Sequence, residues 1–73
     1  MNETVTATYE SETKVKNVVE ALIDSIGIPQ EKIFVDKASK QVKVIIPAAT
    51  ESEVKRVMQS HQPTNMSERV WDS

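Results

Sequence analysis

Residues 11–29, SETKVKNVVEALIDSIGIP, decide the fold, because apolar spacing, a start signal and a stop signal all agree there. Val15, Val18, Val19, Leu22, Ile23 and Ile26 recur at steps of three, one, three, one and three, which sets them on one stripe of a helix. Lys14, Lys16, Asn17, Glu20, Asp24 and Ser25 fall off that stripe. Ser11 is placed to cap the first free amides, and Glu12 lies near the positive end of the helix dipole. Gly27 is placed to take the left-handed conformation that ends a helix, and Ile28-Pro29 forbid its continuation. So wide a stripe must be covered, and the neighbouring strand-like segments are the apolar material available to cover it.

Upstream, residues 4–9 alternate, with Val5, Ala7 and Tyr9 on one side and Thr4, Thr6 and Thr8 on the other. Downstream, residues 32–36 read as a second strand with Ile33 and Val35 on one face and Phe34 on the opposite one. A polar hairpin, Asp36-Lys37-Ala38-Ser39-Lys40, leads into a third strand at 41–46. That strand sets Val42, Val44 and Ile46 against Gln41, Lys43 and Ile45. The expected core is therefore Val5, Ala7, Tyr9, Ile33, Val35, Val42, Val44 and Ile46, and a one-residue slip would turn Lys43 inward.

Pro47 closes the third strand, and Thr50-Glu51-Ser52-Glu53 reads as a capping box opening a second helix to about Ser60. Val54, Val57 and Met58 form its inner face, and Pro63 marks its end. Residues 64–73 read either as a short edge strand or as an irregular tail anchored by Met66, Val70 and Trp71. The order is that of an α+β two-layer sandwich, βαββα(β), ferredoxin-like (split βαβ), with two helices on one face of a three- or four-stranded sheet. Strand three is expected parallel beside strand one, with strand two outside it. No linker or repeat divides the 73 residues, so one domain is expected.

Absence of cysteine rules out disulfides and thiolate metal sites, leaving packing, or packing plus self-association, to hold so small a core. The apolar run Val44 to Ile46 is far short of a membrane span, and the first residues carry no basic-then-apolar signal pattern, so a cytoplasmic chain with no membrane partner is expected. Nine basic against eleven acidic residues give a net charge near −2, which offers no general attraction to phosphate backbones. Lys32, Lys37, Lys40 and Lys43 form a local basic group, diluted by Glu31 and Asp36 and read as a solvated hairpin end.

Four stretches carry a likeness to a known family: Val5-Thr6-Ala7-Thr8-Tyr9, Gly27-Ile28-Pro29-Gln30-Glu31-Lys32-Ile33, Val42-Lys43-Val44-Ile45-Ile46-Pro47, and His61-Gln62-Pro63 with Asn65 and Glu68-Arg69. Through them the chain resembles the small stress-associated domains grouped around the heat-induced stress protein YflT and the related general stress proteins. The resemblance implies a compact α+β domain with a stress association and no catalytic residue to carry over. Gln62 stands where a glycine is the more familiar residue.

No constellation of catalytic, cofactor-binding or metal-ligating residues is expected. His61 is the single histidine and reads as an imidazole at the negative end of the second helix. Glu10, Glu12, Glu51 and Glu53 lie at helix starts, where carboxylates offset the dipole. Ser11, Ser52 and Ser60 lack the glycine-flanked turn of a hydrolase nucleophile, and a single glycine builds no phosphate loop.

The helix-free side of the sheet is the informative surface, with Thr4, Thr6, Thr8, Phe34, Gln41, Lys43 and Ile45. Either Val70 or Trp71 of the tail covers it, or two copies pack there or along a strand edge as a homodimer. The expected interaction residues are Phe34, Lys43, Ile45 and Trp71, in a non-enzymatic protein-interaction module. The rival reading is a small-ligand or nucleic-acid-binding regulatory domain. RNA recognition would want aromatics on the central strands, where residues 4–8 offer threonines instead.

Overall fold

The structure, a computed structural model, describes residues 2–71, with the side chains of residues 70 and 71 outside the description. Strand β1 (Asn2–Thr8) leads into helix α1 (Glu12–Ala21), which continues as a wider π-helical turn at Leu22–Ile26. After a 3-10 turn at Gln30–Lys32 come strands β2 (Ile33–Asp36) and β3 (Gln41–Pro47). A second 3-10 turn, Ala48–Thr50, opens helix α2 (Glu51–Ser60), and strand β4 (Asn65–Trp71) follows. The sheet order is β2-β3-β1-β4 with every pairing antiparallel, the split βαβ sandwich.

This corrects the expected parallel pairing of strands one and three. Helix α1 returns the chain so that β2 runs in the direction of β1, and the hairpin then reverses it. Strand β3 therefore meets β1 antiparallel, with Val5 opposite Val44 and Ala7 opposite Val42. The last segment is a strand, not an irregular tail, and it pairs with the free side of β1, placing Ala7 opposite Met66 and Val5 opposite Glu68. The chain's end thus extends the sheet in its own plane, on the edge opposite β2. The expected contact of Val70 or Trp71 with Phe34 and Ile45 falls on side chains outside the described residues.

Helix α1 starts and stops where its signals predict, although the expected single 3.6-residue helix widens to a π-helical turn over Leu22–Ile26. The Ser11 hydroxyl accepts from the Lys14 amide at 3.3 Å, and Gly27 takes φ +82°. Both the Gly27 and Ile28 amides donate to the Leu22 carbonyl, at 3.1 Å each. Helix α2 opens differently from the expected capping box: Thr50 is already helical, with φ −95° and ψ −6°, and its side chain caps nothing. The 3-10 turn does that work, because the Glu51 amide donates to the Ala48 carbonyl.

Between the helices and the sheet lie Val5, Ala7, Tyr9, Val15, Val18, Leu22, Ile28, Val42, Val44, Ile46, Val54 and Met58, all buried. Val19, Ile26, Ile33, Val57 and Met66 pack around them, partly exposed. One expected core residue fails. Val35 is 43% exposed, because β2 is a four-residue edge strand; the helices rest chiefly on β1 and β3. Tyr9 keeps its place in the core by donating its hydroxyl to the Met58 carbonyl at 2.8 Å, and burial pushes its pKa up to about 12. Tyr9→Phe should cost about 1 kcal/mol in urea unfolding, since the Met58 carbonyl loses its shorter hydrogen bond and keeps only the His61 amide at 3.3 Å.

Two positive-φ positions set opposite expectations. A Cβ on Gly27 would meet nothing within 4 Å, so Gly27→Ala should lose only the left-handed penalty, about 1 kcal/mol. Gln62, at φ +59°, already bears that penalty after α2. Gln62→Gly should gain about 0.5–1 kcal/mol, measured by the same unfolding titration.

Candidate functional site

Antiparallel pleating gives the helix-free face its composition. Alternation along β1 turns Thr4, Thr6 and Thr8 away from the helices, while pairing sets Lys43 opposite both Thr6 and Phe34. On the other side of β1, Thr4 pairs with Arg69 and Thr6 with Ser67. Thr4, Thr6, Phe34, Lys43, Ile45, Ser67, Glu68 and Arg69 line one shallow depression of about 740 Å³. The structure thus brings Phe34, Lys43 and Ile45 together as expected and adds Ser67 and Arg69 from β4. Phe34 is 50% exposed, among the most exposed of the large hydrophobic side chains described. The Trp71 backbone pairs with Asn2, and its side chain lies outside the described residues.

A second groove, of about 460 Å³, runs between α1 and β2 on the helix side. Val15, Val19, Ile23 and Val35 give it an apolar floor, and Lys16, Lys37 and Lys40 stand at its margin with Glu12 and Glu20. The four hairpin lysines therefore do not converge: Lys37 and Lys40 border this groove, whereas Lys43 lines the depression on the opposite face.

His61 matches its structural reading. Its Nδ1 lies 2.9 Å from the Val57 carbonyl, so that nitrogen donates, and the Ser60 hydroxyl donates to the same carbonyl at 2.7 Å. Ring and hydroxyl together finish the end of α2.

The feature that sequence reading missed is Glu3. It sits on the inward side of β1, in series with Val5, Ala7 and Tyr9, and is only 5% exposed. Its carboxylate meets Glu51 from the first turn of α2 and Glu68 from β4, one oxygen of each lying within 4.8 Å of the others. Lys55 bonds both Glu51 and Glu68, at 3.3 Å each. The Oε2 atom of Glu3 is buried without a hydrogen-bond partner. These three carboxylates are the group among the described residues that could hold a metal ion. The signal was present in the period-2 series, which continues back from Val5 to Glu3.

Electrostatics follow from this crowding. Burial holds the Glu3 carboxyl above its ordinary 4.5, reinforced by hydrogen bonding to Glu51 and by the charges of Glu51 and Glu68. Glu51 is held below 4.5 by hydrogen bonds with Glu3, Glu68 and Lys55. Lys55 is raised above 10.5, chiefly by Glu68 and then by Glu51.

Comparison with family models, with curated proteins and with solved structures finds no match for this chain. No helix among the described residues is long and apolar enough to cross a membrane.

The shifted pair sets a pH dependence. Glu3 binds its proton more tightly when folded, so its stabilisation is full below pH 4.5 and is lost as pH rises through its raised value. Glu51 behaves oppositely, contributing above 4.5 and losing that contribution as pH falls through its lowered value. Stability from the pair should peak between those two values. Urea titrations in chelator-containing buffer should show wild type falling behind Glu3→Gln as pH rises toward neutrality, whereas parallel curves would refute the assignment.

Proposed function

We propose that this chain is a small non-enzymatic protein-interaction module that pairs with a second copy of itself through the open face of its sheet. The half-exposed Phe34 carries this reading, set beside Ile45 in a depression that no element of the described chain covers. A lone surface phenylalanine is ordinary, but one on the uncovered face of a minimal sandwich offers a second core to a twin. The stress-associated role rests on the resemblance carried by stretches such as Val42-Lys43-Val44-Ile45-Ile46-Pro47.

Magnitude decides what kind of pairing this is. Three strands of seven residues and one of four, spaced about 4.8 Å and rising about 3.3 Å per residue, present roughly 400 Å² per copy, or about 800 Å² in the pair. Stable complexes bury about 1,200–2,000 Å², so the dimer is weak and forms in the micromolar range or above. A nucleic-acid or small-ligand regulatory role is the second reading, favoured by Lys43 and Arg69 beside Phe34. It is the weaker one, since the central strand β1 supplies threonines where base stacking needs aromatics.

Sedimentation equilibrium should show the apparent mass rising toward twice the monomer at high micromolar concentration. Phe34→Glu should hold the chain monomeric at every concentration without lowering its melting temperature. A wild-type monomer throughout, or a variant that still associates, would overturn the proposal; chemical shifts at Phe34 and Lys43 on adding a short RNA would favour the second reading.

A further inference from the structure

We infer that Glu3, Glu51 and Glu68 form a binding site for a divalent cation of the size and hardness of calcium. Three separate elements deliver the ligands: β1, the first turn of α2, and β4. An acidic cluster on a surface would mean little, but Glu3 is not on the surface. It is 5% exposed, its Oε2 has no partner, and its carboxylate is aimed at the other two. A buried carboxylate oxygen without a donor is costly, and a bound cation would offset that cost.

Charge and distance agree on the class of ion. Lys55 brings one positive charge to three carboxyl groups, so a divalent cation that displaces the proton shared by Glu3 and Glu51 would meet two uncompensated negative charges. Oxygens bound to one calcium ion are at most about 4.6–5.2 Å apart, so three carboxylate oxygens all within 4.8 Å of one another reach such a shell with small side-chain adjustment. Magnesium demands a near-ideal octahedron and sheds its waters reluctantly, so it binds less readily to three carboxylates brought together from separate elements. With oxygen donors alone, the site offers nothing to select zinc or copper. Lys55 competes for the place, but at 3.3 Å its contacts are longer than the roughly 2.7–2.9 Å of strong charge-assisted bonds. Water completes the shell on the exposed side, and a dissociation constant of about 0.1–1 mM is expected.

A cation held there links β4 and α2 to β1, so it stabilises the folded chain by mass action. The test is thermal unfolding of the full chain, stripped of metals, in calcium, magnesium or sodium chloride at matched ionic strength, with titration calorimetry for affinity. Calcium should raise the melting temperature saturably, magnesium less, sodium not at all. Glu3→Gln keeps the shape and removes the charge, and should weaken calcium binding on the order of tenfold or more. Glu68→Gln, on the exposed edge strand, provides a second variant with the same expected loss. Lys55→Met removes the competing ammonium and should tighten binding. Melting that calcium moves no further than sodium does, or a calcium response unchanged in both glutamine variants, would overturn the inference.

Discussion

The structure depends on the alternation of a single strand. β1 lies between β3 and β4 and pairs with both, so each of its side chains is committed either to the helix side or to the open side. Because Val5 and Ala7 must meet α1 and α2, Thr4 and Thr6 must face away, and Glu3 must face in. The buried glutamate and the threonine-lined open face are two consequences of one pleat.

Two polar groups face inward along β1 and its continuation, Glu3 within the strand and Tyr9 just beyond it, and they are accommodated differently. Tyr9 needs one acceptor and finds it at the last turn of α2, tying that end of the helix to the sheet. Glu3 needs donors and meets instead the carboxylates of Glu51, at the first turn of the same helix, and of Glu68 on β4. Helix α2 therefore contacts the strand through a satisfied polar group at one end and an unsatisfied one at the other. Since desolvation strengthens electrostatic interactions, the second contact is where pH and ions gain purchase on stability.

Sheet edges and the uncovered face are the surfaces on which the proposed pairing depends. β2 is short and leaves Val35 and Phe34 exposed on opposite faces; β4 carries Glu68 and Arg69 along the other edge. Charges on an edge strand discourage indiscriminate strand addition, which leaves the face as the better docking surface. A face rich in threonine, with one aromatic and two cations, favours a reversible contact over an obligate one.

The sequence by itself determined the elements: period 3.6 at 15–26, period 2 at 4–9 and 41–46, the Ser11 cap and the Gly27 stop all derive from local stereochemistry. It likewise determined which parity of β3 is buried, since Lys43 cannot share the core with Val42 and Val44. Phe34, Lys43 and Ile45 were legible as one surface for the same reason. Tertiary structure alone decided strand direction, the place of β4 beside β1, the exposure of Val35 and the 3-10 start of α2. Strand direction follows from the α1 crossover and the hairpin that reverses the chain, and the exposure of Val35 from how far a roof of two short helices extends; no local spacing encodes either. The meeting of Glu3, Glu51 and Glu68 belongs with them. Burial along β1 was implied by its alternation, but the partners come from the far end of the chain, and only the closed sheet brings them within reach.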